Sequence, residues 1–293
     1  MLYQSLKEYI EENTGTHDIS IRAVTRHIGI SRSGFKSWLN RKPSKTMQRK
    51  EEIKKEIKEI HEESHEIYGA PKITEKLKEN GYQISQKTVG NYMHEMGIKA
   101  HYIKPYIITT ISKDFSTRLK NILKREFNPE KPDAAWCTDI TYIWTYNDGF
   151  VYLTSIMDLF SRKIVAWVLT KDMTAESVLE VIKIAKERRK IKEPVILHSD
   201  RGIQFTSEMY REITEKMKRS YSKKACPWDN ACIESFHALI KREWLNRYKI
   251  WDYNEAYRLI FEYIETFYNT VRIHSHCNYK SPNQHEKNYY QTH

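Results

Sequence analysis

The rhythm of apolar residues along the chain changes near Pro132. Before it, apolar positions recur at three- and four-residue intervals; after it, they mostly alternate with polar ones. The first pattern is that of amphipathic helices and the second that of strands with one buried face. Residues 21–28 predict a short helix, Gly29-Ile30 a turn, and Ser31 the N-cap of a second helix that would bury Phe35, Trp38 and Leu39. This helix-turn-helix pattern leaves Arg32, Ser33, Lys36 and Ser37 outward, where a recognition helix meets base edges and phosphates. After a basic, proline-containing break at 41–45, residues 47–63 predict a charged helix with Ile53, Ile57 and Ile60 on one stripe. A second helical hairpin follows. Pro71 fits the first turn of a helix that stops at Gly81, and Ser85 caps the next, with Val89, Tyr92, Met93 and Met96 inward and Gln86, Lys87, Asn91 and His94 outward.

Beyond Pro132, strands over 135–146 and 150–157 flank Asn147-Asp148-Gly149, a strong hairpin turn. A third strand over 164–169 completes an antiparallel trio. A helix over 174–189, a strand over 195–198, a helix over 207–217, a short strand near Tyr221 and a helix carrying Glu234 then alternate. The order specifies an α/β fold with a mixed sheet. Residues 251–269 predict an amphipathic helix whose stripe of Ala256, Ile260, Ile264 and Phe267 reads as core. Four segments result: 1–45, a helix-turn-helix module; 46–100, a linker helix and second helical module; 101–130, a basic linker; 131–293, the α/β core with its C-terminal helix.

Three acids stand out within that core. Asp139 interrupts a strand, Asp200 ends the apolar run 194–199, and Glu234 follows Pro227-Trp228-Asp229-Asn230 at the opening of a helix. Carboxylates from two strands and a helix suit two Mg²⁺ ions, with Mn²⁺ as a substitute, because hard cations take oxygen ligands. Such a pair of ions serves phosphoryl displacement on nucleic acid. Asp158 also ends an apolar run, but the turn after it marks it as a strand-end residue. Asn230, Glu234 and Lys241 share one helix face by spacing, which would present an amide, a carboxylate and a cation to DNA. His198 and Gln204 flank Asp200; His198 either positions it or packs in the core. Trp228 reads as a core cap in preference to a base-stacking ring. Arg272 and His274 are further candidates for DNA contact.

A formal net charge of +11 favours a polyanionic partner, here double-stranded DNA. The four cysteines lack metal-ligand spacing, no apolar run approaches membrane-spanning length, and the N-terminus lacks a signal-peptide core, so a cytoplasmic protein with no membrane partner is expected. No tyrosine sits in the Arg-His-Arg setting of a tyrosine recombinase.

The motifs Trp136-Cys137-Thr138-Asp139-Ile140-Thr141, His198-Ser199-Asp200-Arg201-Gly202 with Gln204, and Trp228-Asp229-Asn230-Ala231 with Glu234-Ser235-Phe236 resemble the integrase core of IS-three family insertion-sequence transposases, second-frame product. Lys241, and the tail Tyr268-Asn269 with Arg272, His274 and Lys280-Ser281-Pro282, extend the resemblance over nearly the whole chain. It implies a ribonuclease H-like core, a DDE transposase activity that cleaves element ends and transfers strands, and two helical modules gripping terminal inverted repeats. It also implies a homo-oligomer and fusion or association with the upstream-frame product. One departure stands out: residues 201–233 separate Asp200 from Glu234, two fewer than is usual in the family. That permits an alternative, a DNA-binding regulator with a decayed core.

Overall fold

The computed structural model describes residues 2–13, 21–40, 42–101, 119–223 and 226–292. Two compact units divide the chain, Met1–Lys58 and Glu59–His293. In the first, α1 (Leu2–Asn13), α2 (Ile21–His27) and α3 (Arg32–Leu39) precede the long α4 (Lys45–Glu63), in which the division falls. Gly29 takes φ +74° in the α2–α3 turn, and the Ser31 hydroxyl accepts from the Gly34 N–H, as the cap pattern predicts. α1 was not expected. Its Tyr3 packs on Phe35 and Trp38, with ring centroids 5.7 and 5.8 Å apart. Leu39, expected inside, is exposed: it lies about 100° round the helix from Trp38 and falls outside the cover that α1 provides.

The second unit opens with the helical hairpin α5 (Ala70–Glu79) and α6 (Gln86–Glu95), whose Ile73, Leu77 and Val89 are fully buried. Ser85 caps α6 through the Thr88 N–H. This hairpin is seated on the core. The Tyr68 hydroxyl accepts from the Ile273 N–H at 2.9 Å, His65 stands edge-on to Trp244 and Phe267, and Lys280 pairs with Glu79 at 2.9 Å. The expected linker is corrected at its C-terminal end. Leu123 is buried, the Ser220 hydroxyl accepts from the Ile122 and Leu123 N–H groups, and Asp229 accepts from Asn121 and Arg125. Its remaining part, 102–118, lies outside the described residues.

The sheet comprises β1 (Ala135–Thr145), β2 (Gly149–Asp158), β3 (Ile164–Thr170), β4 (Ile196–Ser199) and β5 (Lys218–Tyr221), in the order β3-β2-β1-β4-β5. The first three are antiparallel; β4 and β5 continue parallel to β1. This is the ribonuclease H-like arrangement. Gly149, at φ +74°, closes the β1–β2 turn, where the Thr145 hydroxyl donates to its carbonyl. α7 (Ala175–Arg189) covers one face and packs Val178, Val181 and Ile182 on Trp136, Ile156 and Ala166. α8 (Glu208–Ile213) is shorter than expected, because the chain turns at Thr214 into β5. α9 (Ala231–Glu243) carries Glu234 on the other face.

The expected helix over 251–269 is α10 (Tyr253–Phe261) followed by a π-helical turn, Glu262–Tyr268. The wider turn buries Tyr263, Ile264, Phe267 and Tyr268 together, and the Asn269 amide bonds both the N–H and the carbonyl of Ile164. α11 (Pro282–Thr292), which carries little apolar signal, is held by Glu286, bonded to Arg189 and Ser161. β4 pairs with β1 only as far as Cys137, so β1 runs on past it with a free edge. That step in the sheet makes the cleft.

Candidate active site

Asp139 and Asp200 come level at this step. Cys137 pairs with His198 across the parallel β1–β4 ladder, and two residues further on each strand reaches its aspartate. The pairing puts Asp139 opposite Ser155 of β2. α9 is fixed over this position at two points. Asn230, before its first turn, donates from Nδ2 to the Thr138 carbonyl at 3.4 Å. His237 bonds Ser155 Oγ through Nε2 at 2.8 Å and brings Nδ1 within 3.5 Å of Asp139 Oδ2. Glu234 lies between these anchors. Sequence reasoning missed His237; its three-residue spacing from Glu234 was the available signal.

The electrostatics unite the three acids. Burial, the Asp139 carboxylate and then Asp200 raise the Glu234 carboxyl above its ordinary value. Crowding by protein and the Asp139 charge push Asp200 up to about 6, against a 2.9 Å bond from the Gly202 N–H that favours its ionised form. Both residues remain exposed, so solvent screens part of this crowding while the cluster stays open to an incoming cation. Gly202 lies close against the acid: a Cβ there would stand 3.0 Å from Gln204 Oε1 and 3.1 Å from Asp200 Oδ1 and press on both side chains. Lys241, lowered by burial and pulled back up by Asp139, stands 4.6 Å over the Tyr142 ring at the free edge of β1.

Several expectations are corrected. Asn230 is almost completely buried, so it anchors α9 on β1 instead of facing DNA. Trp228 is 69% exposed, not a core cap. His198 resolves toward packing: it is fully buried between the Ser220 and Ser222 hydroxyls, and burial pushes it down to about 4 although Asp229 pulls upward. Arg272 is buried against Glu243 at 2.7 Å, and His274 is buried beside it, so neither is a DNA contact. Asp158 lies apart, fully buried and accepting from the Asp133 N–H and from the Ser161 N–H and hydroxyl. Arg32, Ser33 and Lys36 on α3, and Lys87 and Asn91 on α6, are exposed.

The donor set fits divalent ions in kind. The Asp139 charge bears on both Asp200 and Glu234, and hard cations prefer such carboxylate oxygens. Asn230 Oδ1, at the start of the helix that carries Glu234, is buried without a partner. Among the described residues no three acidic, His or Cys side chains are already gathered closely enough to hold a metal ion, so metal binding requires the carboxylates to draw inward.

A ribonuclease H-like sheet with two aspartates level where β1 outruns β4 is the arrangement of an integrase-type core. Family matches agree: "Integrase core domain" covers residues 129–223 and again 215–282, and "HTH-like domain" covers 48–106, which is α4 to α6 and not the α2–α3 pair. Over 265 residues the chain is 34% identical to the insertion element IS600 uncharacterized 31 kDa protein of Shigella sonnei, covering 90% of this chain and 97% of that one. It is 36% identical over 251 residues to the transposase for insertion sequence element IS904 of Lactococcus lactis (85% and 99%), and 32% identical over 273 to transposase InsF for insertion sequence IS3A of Escherichia coli K12 (92% and 94%). The chain belongs to the IS3 family of insertion-sequence transposases. Among solved structures it is similar to the integrase catalytic core domain of HTLV-2 in complex with magnesium, at 19% identity and TM-score 0.41, over 54% of this chain and 98% of that one. The BIV integrase core is likewise similar, at 18% identity and TM-score 0.41, over 55% and 97%. Membership of the IS3 family makes the chain a transposase, a polynucleotidyl transferase with DNA as partner. No helix among the described residues is long and apolar enough to cross a membrane.

Proposed function

We propose that Asp139, Asp200 and Glu234 are the catalytic carboxylates and hold two Mg²⁺ ions, for which Mn²⁺ substitutes. The observation that carries this reading is the register of the β1–β4 step, which brings Asp139 level with Asp200 at its exposed end, with α9 anchored beside them so that both aspartates bear on Glu234. When bound, the metals make an attacking hydroxyl more acidic and offset charge on the leaving oxygen. In cleavage, a water oxygen bonds to phosphorus as the bond to the 3′ oxygen breaks, freeing a 3′-hydroxyl. In strand transfer that hydroxyl attacks a target phosphodiester, and the target's own 3′ oxygen leaves. His237 keeps the Asp139 carboxylate oriented, Asn230 fixes the start of α9, and Lys241 supplies positive charge beside the substrate phosphate.

Arg32, Ser33, Lys36, Lys87 and Asn91 would contact the element ends. Their exposure on α3 and α6 supports that role, and the HTH-like match to α4–α6 favours the second pair. Assembly as a homo-oligomer, association with the upstream-frame product and a cytoplasmic, nucleoid-bound location complete the proposal. An intact core is favoured over the decayed-core alternative by two observations. β5 keeps a four-residue register with β4 despite the shortened interval, and α9 is anchored beside Asp139. The test is cleavage of a plasmid carrying the inverted repeats that flank the coding region. Nicking at the repeats with Mg²⁺ or Mn²⁺, and none with EDTA, is expected. Equal nicking of a plasmid with scrambled repeats would contradict end recognition, and metal-independent nicking would contradict the site.

A further inference from the structure

A cavity of about 360 Å³ opens beside α9, along the stripe of Ala231, Ser235 and Leu239 that neighbours the Glu234 stripe. Its basic lining comes from three separate places: Lys72 of α5, Arg162 of the β2–β3 turn, and Arg272, His274 and His276 of the segment after the π-helical turn. No carboxylate lines it. Arg272 is neutralised by Glu243. Among the described residues Lys72 and Arg162 have no ion pair. The Arg162 guanidinium rests on neutral acceptors, the Leu159 carbonyl at 3.0 Å and Asn128 Oδ1 at 3.2 Å, and reaches His276 Nδ1 at 3.4 Å. Lys72 stands 4.7 Å over the Tyr68 ring.

Packing these cations around one concavity is unfavourable unless something negative enters it. The strain registers on the groups themselves. Burial and then Arg272 lower Lys72 to about 7, with Glu243 pulling the other way. Burial, Arg272, Lys72 and Arg162 together hold His274 far below its ordinary value, and burial and Arg162 lower His276. The other walls, Met157, Phe236, Leu239 and Tyr268 among them, are largely apolar and focus that field into the cavity. The space exceeds the roughly 30 Å³ of a water molecule about tenfold, enough for a phosphate with its sugar.

We propose that this cavity is a phosphate-binding pocket that takes one sugar-phosphate unit, with Lys72 and Arg162 as its principal cationic contacts and Ser235 as a hydroxyl donor. Lys72 belongs to the module that matches HTH-like domains, and Ser235 adjoins Glu234 on α9. A seated phosphate therefore links the helical module to the helix that carries the third carboxylate. The source of the phosphate is a DNA strand or a free nucleotide, and the experiment separates them. None of it depends on the metal assignment, since neither arm uses metal or cleavage.

In the first arm, the full chain in metal-free chloride buffer is acetylated with and without inorganic phosphate at matched ionic strength, and modification of each lysine is followed by mass spectrometry. Phosphate at about ten times its Kd slows Lys72 acetylation about tenfold and leaves Lys36 unaffected. The same protection in Lys72→Arg cannot be read by acetylation, so thermal shift by phosphate is compared in wild type, Lys72→Arg and Arg162→Gln, with retention in the first two and loss in the third. In the second arm, the salt dependence of duplex DNA binding is compared between wild type and Lys72→Gln. A slope shallower by about 0.9 in the variant assigns the phosphate to DNA; an unchanged slope with a protected Lys72 assigns it to a free phosphate or nucleotide. Unprotected Lys72 in the wild-type protein overturns the proposal whether or not any variant folds.

Discussion

Asp139 and Asp158 lie three steps apart along one ladder, opposite Ser155 and Trp136 respectively, and so on opposite faces of the sheet. Both follow strand-like apolar runs, yet their surroundings differ. Asp158 is closed in by donors, from Asp133 and from Ser161, and the same region balances its remaining charges, with Arg189 bonded to Asp133 at 2.7 Å and to both oxygens of Glu286. Asp139 looks toward Asp200 and Glu234, with one imidazole and one lysine nearby. The first cluster is electrostatically complete and buried. The second is incomplete and open, as a site that takes its missing charge from bound cations must be. A raised carboxyl alone does not separate them, because Asp158 is also pushed up to about 6, by burial against its hydrogen bonds. Burial and the surplus of donors do.

The contrast breaks most sharply in cleavage. Asp139→Asn, Asp200→Asn and Glu234→Gln should each reduce Mg²⁺-dependent cleavage about a thousandfold or more, the equivalent of several kcal/mol of lost transition-state stabilisation. DNA affinity by gel shift should stay within about twofold, since phosphate contacts elsewhere dominate it. Asp158→Asn should cleave at close to the wild-type rate wherever it remains folded. Stability should reverse the ranking: Arg189→Met strips half-buried Asp133 of its ion pair and leaves buried Glu286 only the Lys163 cation at 3.3 Å, and should cost about 3 kcal/mol in urea unfolding, while metal-free Asp200→Asn should lose none.

A smaller effect concerns pH. The folded carboxyl of Asp200 titrates above its ordinary value, so between about pH 4 and 6 the native state holds more protons than the unfolded chain. Metal-free stability should therefore fall as pH rises through that window, and Asp200→Asn should flatten the fall relative to wild type. Added Mn²⁺ should stabilise more at pH 7 than at pH 5, because ligation needs the ionised carboxylate. Differential scanning fluorimetry across pH, with and without Mn²⁺, reads both effects.

The legible parts of this molecule were those in which neighbouring residues decide the outcome. The Ser31 and Ser85 caps, the turn at Gly149 and the strand-end setting of Asp200 all depend on a few adjacent positions. Pairings across long stretches of sequence were not legible. Arg272 and His274 looked like exposed basic residues until Glu243, on α9, closed on the arginine. Asn230 shared a helix face with Glu234 by spacing, but its position just before α9 turns it into β1. The docked connector at 119–130 and the polar α11 depend on Ser220, Asp229 and Arg189, partners far along the chain. Trp228 erred in the other direction, because an aromatic ring in a short 3₁₀ turn need not face inward.

The central claim is that one acidic cluster holds metal and the other holds the fold. Mn²⁺ binding to the full chain, followed by electron paramagnetic resonance at pH 7, compares them directly in wild type, Asp200→Asn and Asp158→Asn. The account predicts wild-type affinity in Asp158→Asn and a loss of at least about tenfold in Asp200→Asn, the scale of one lost carboxylate interaction of 1.4 kcal/mol or more. Undiminished Mn²⁺ affinity in Asp200→Asn, with binding lost in folded Asp158→Asn, would contradict it.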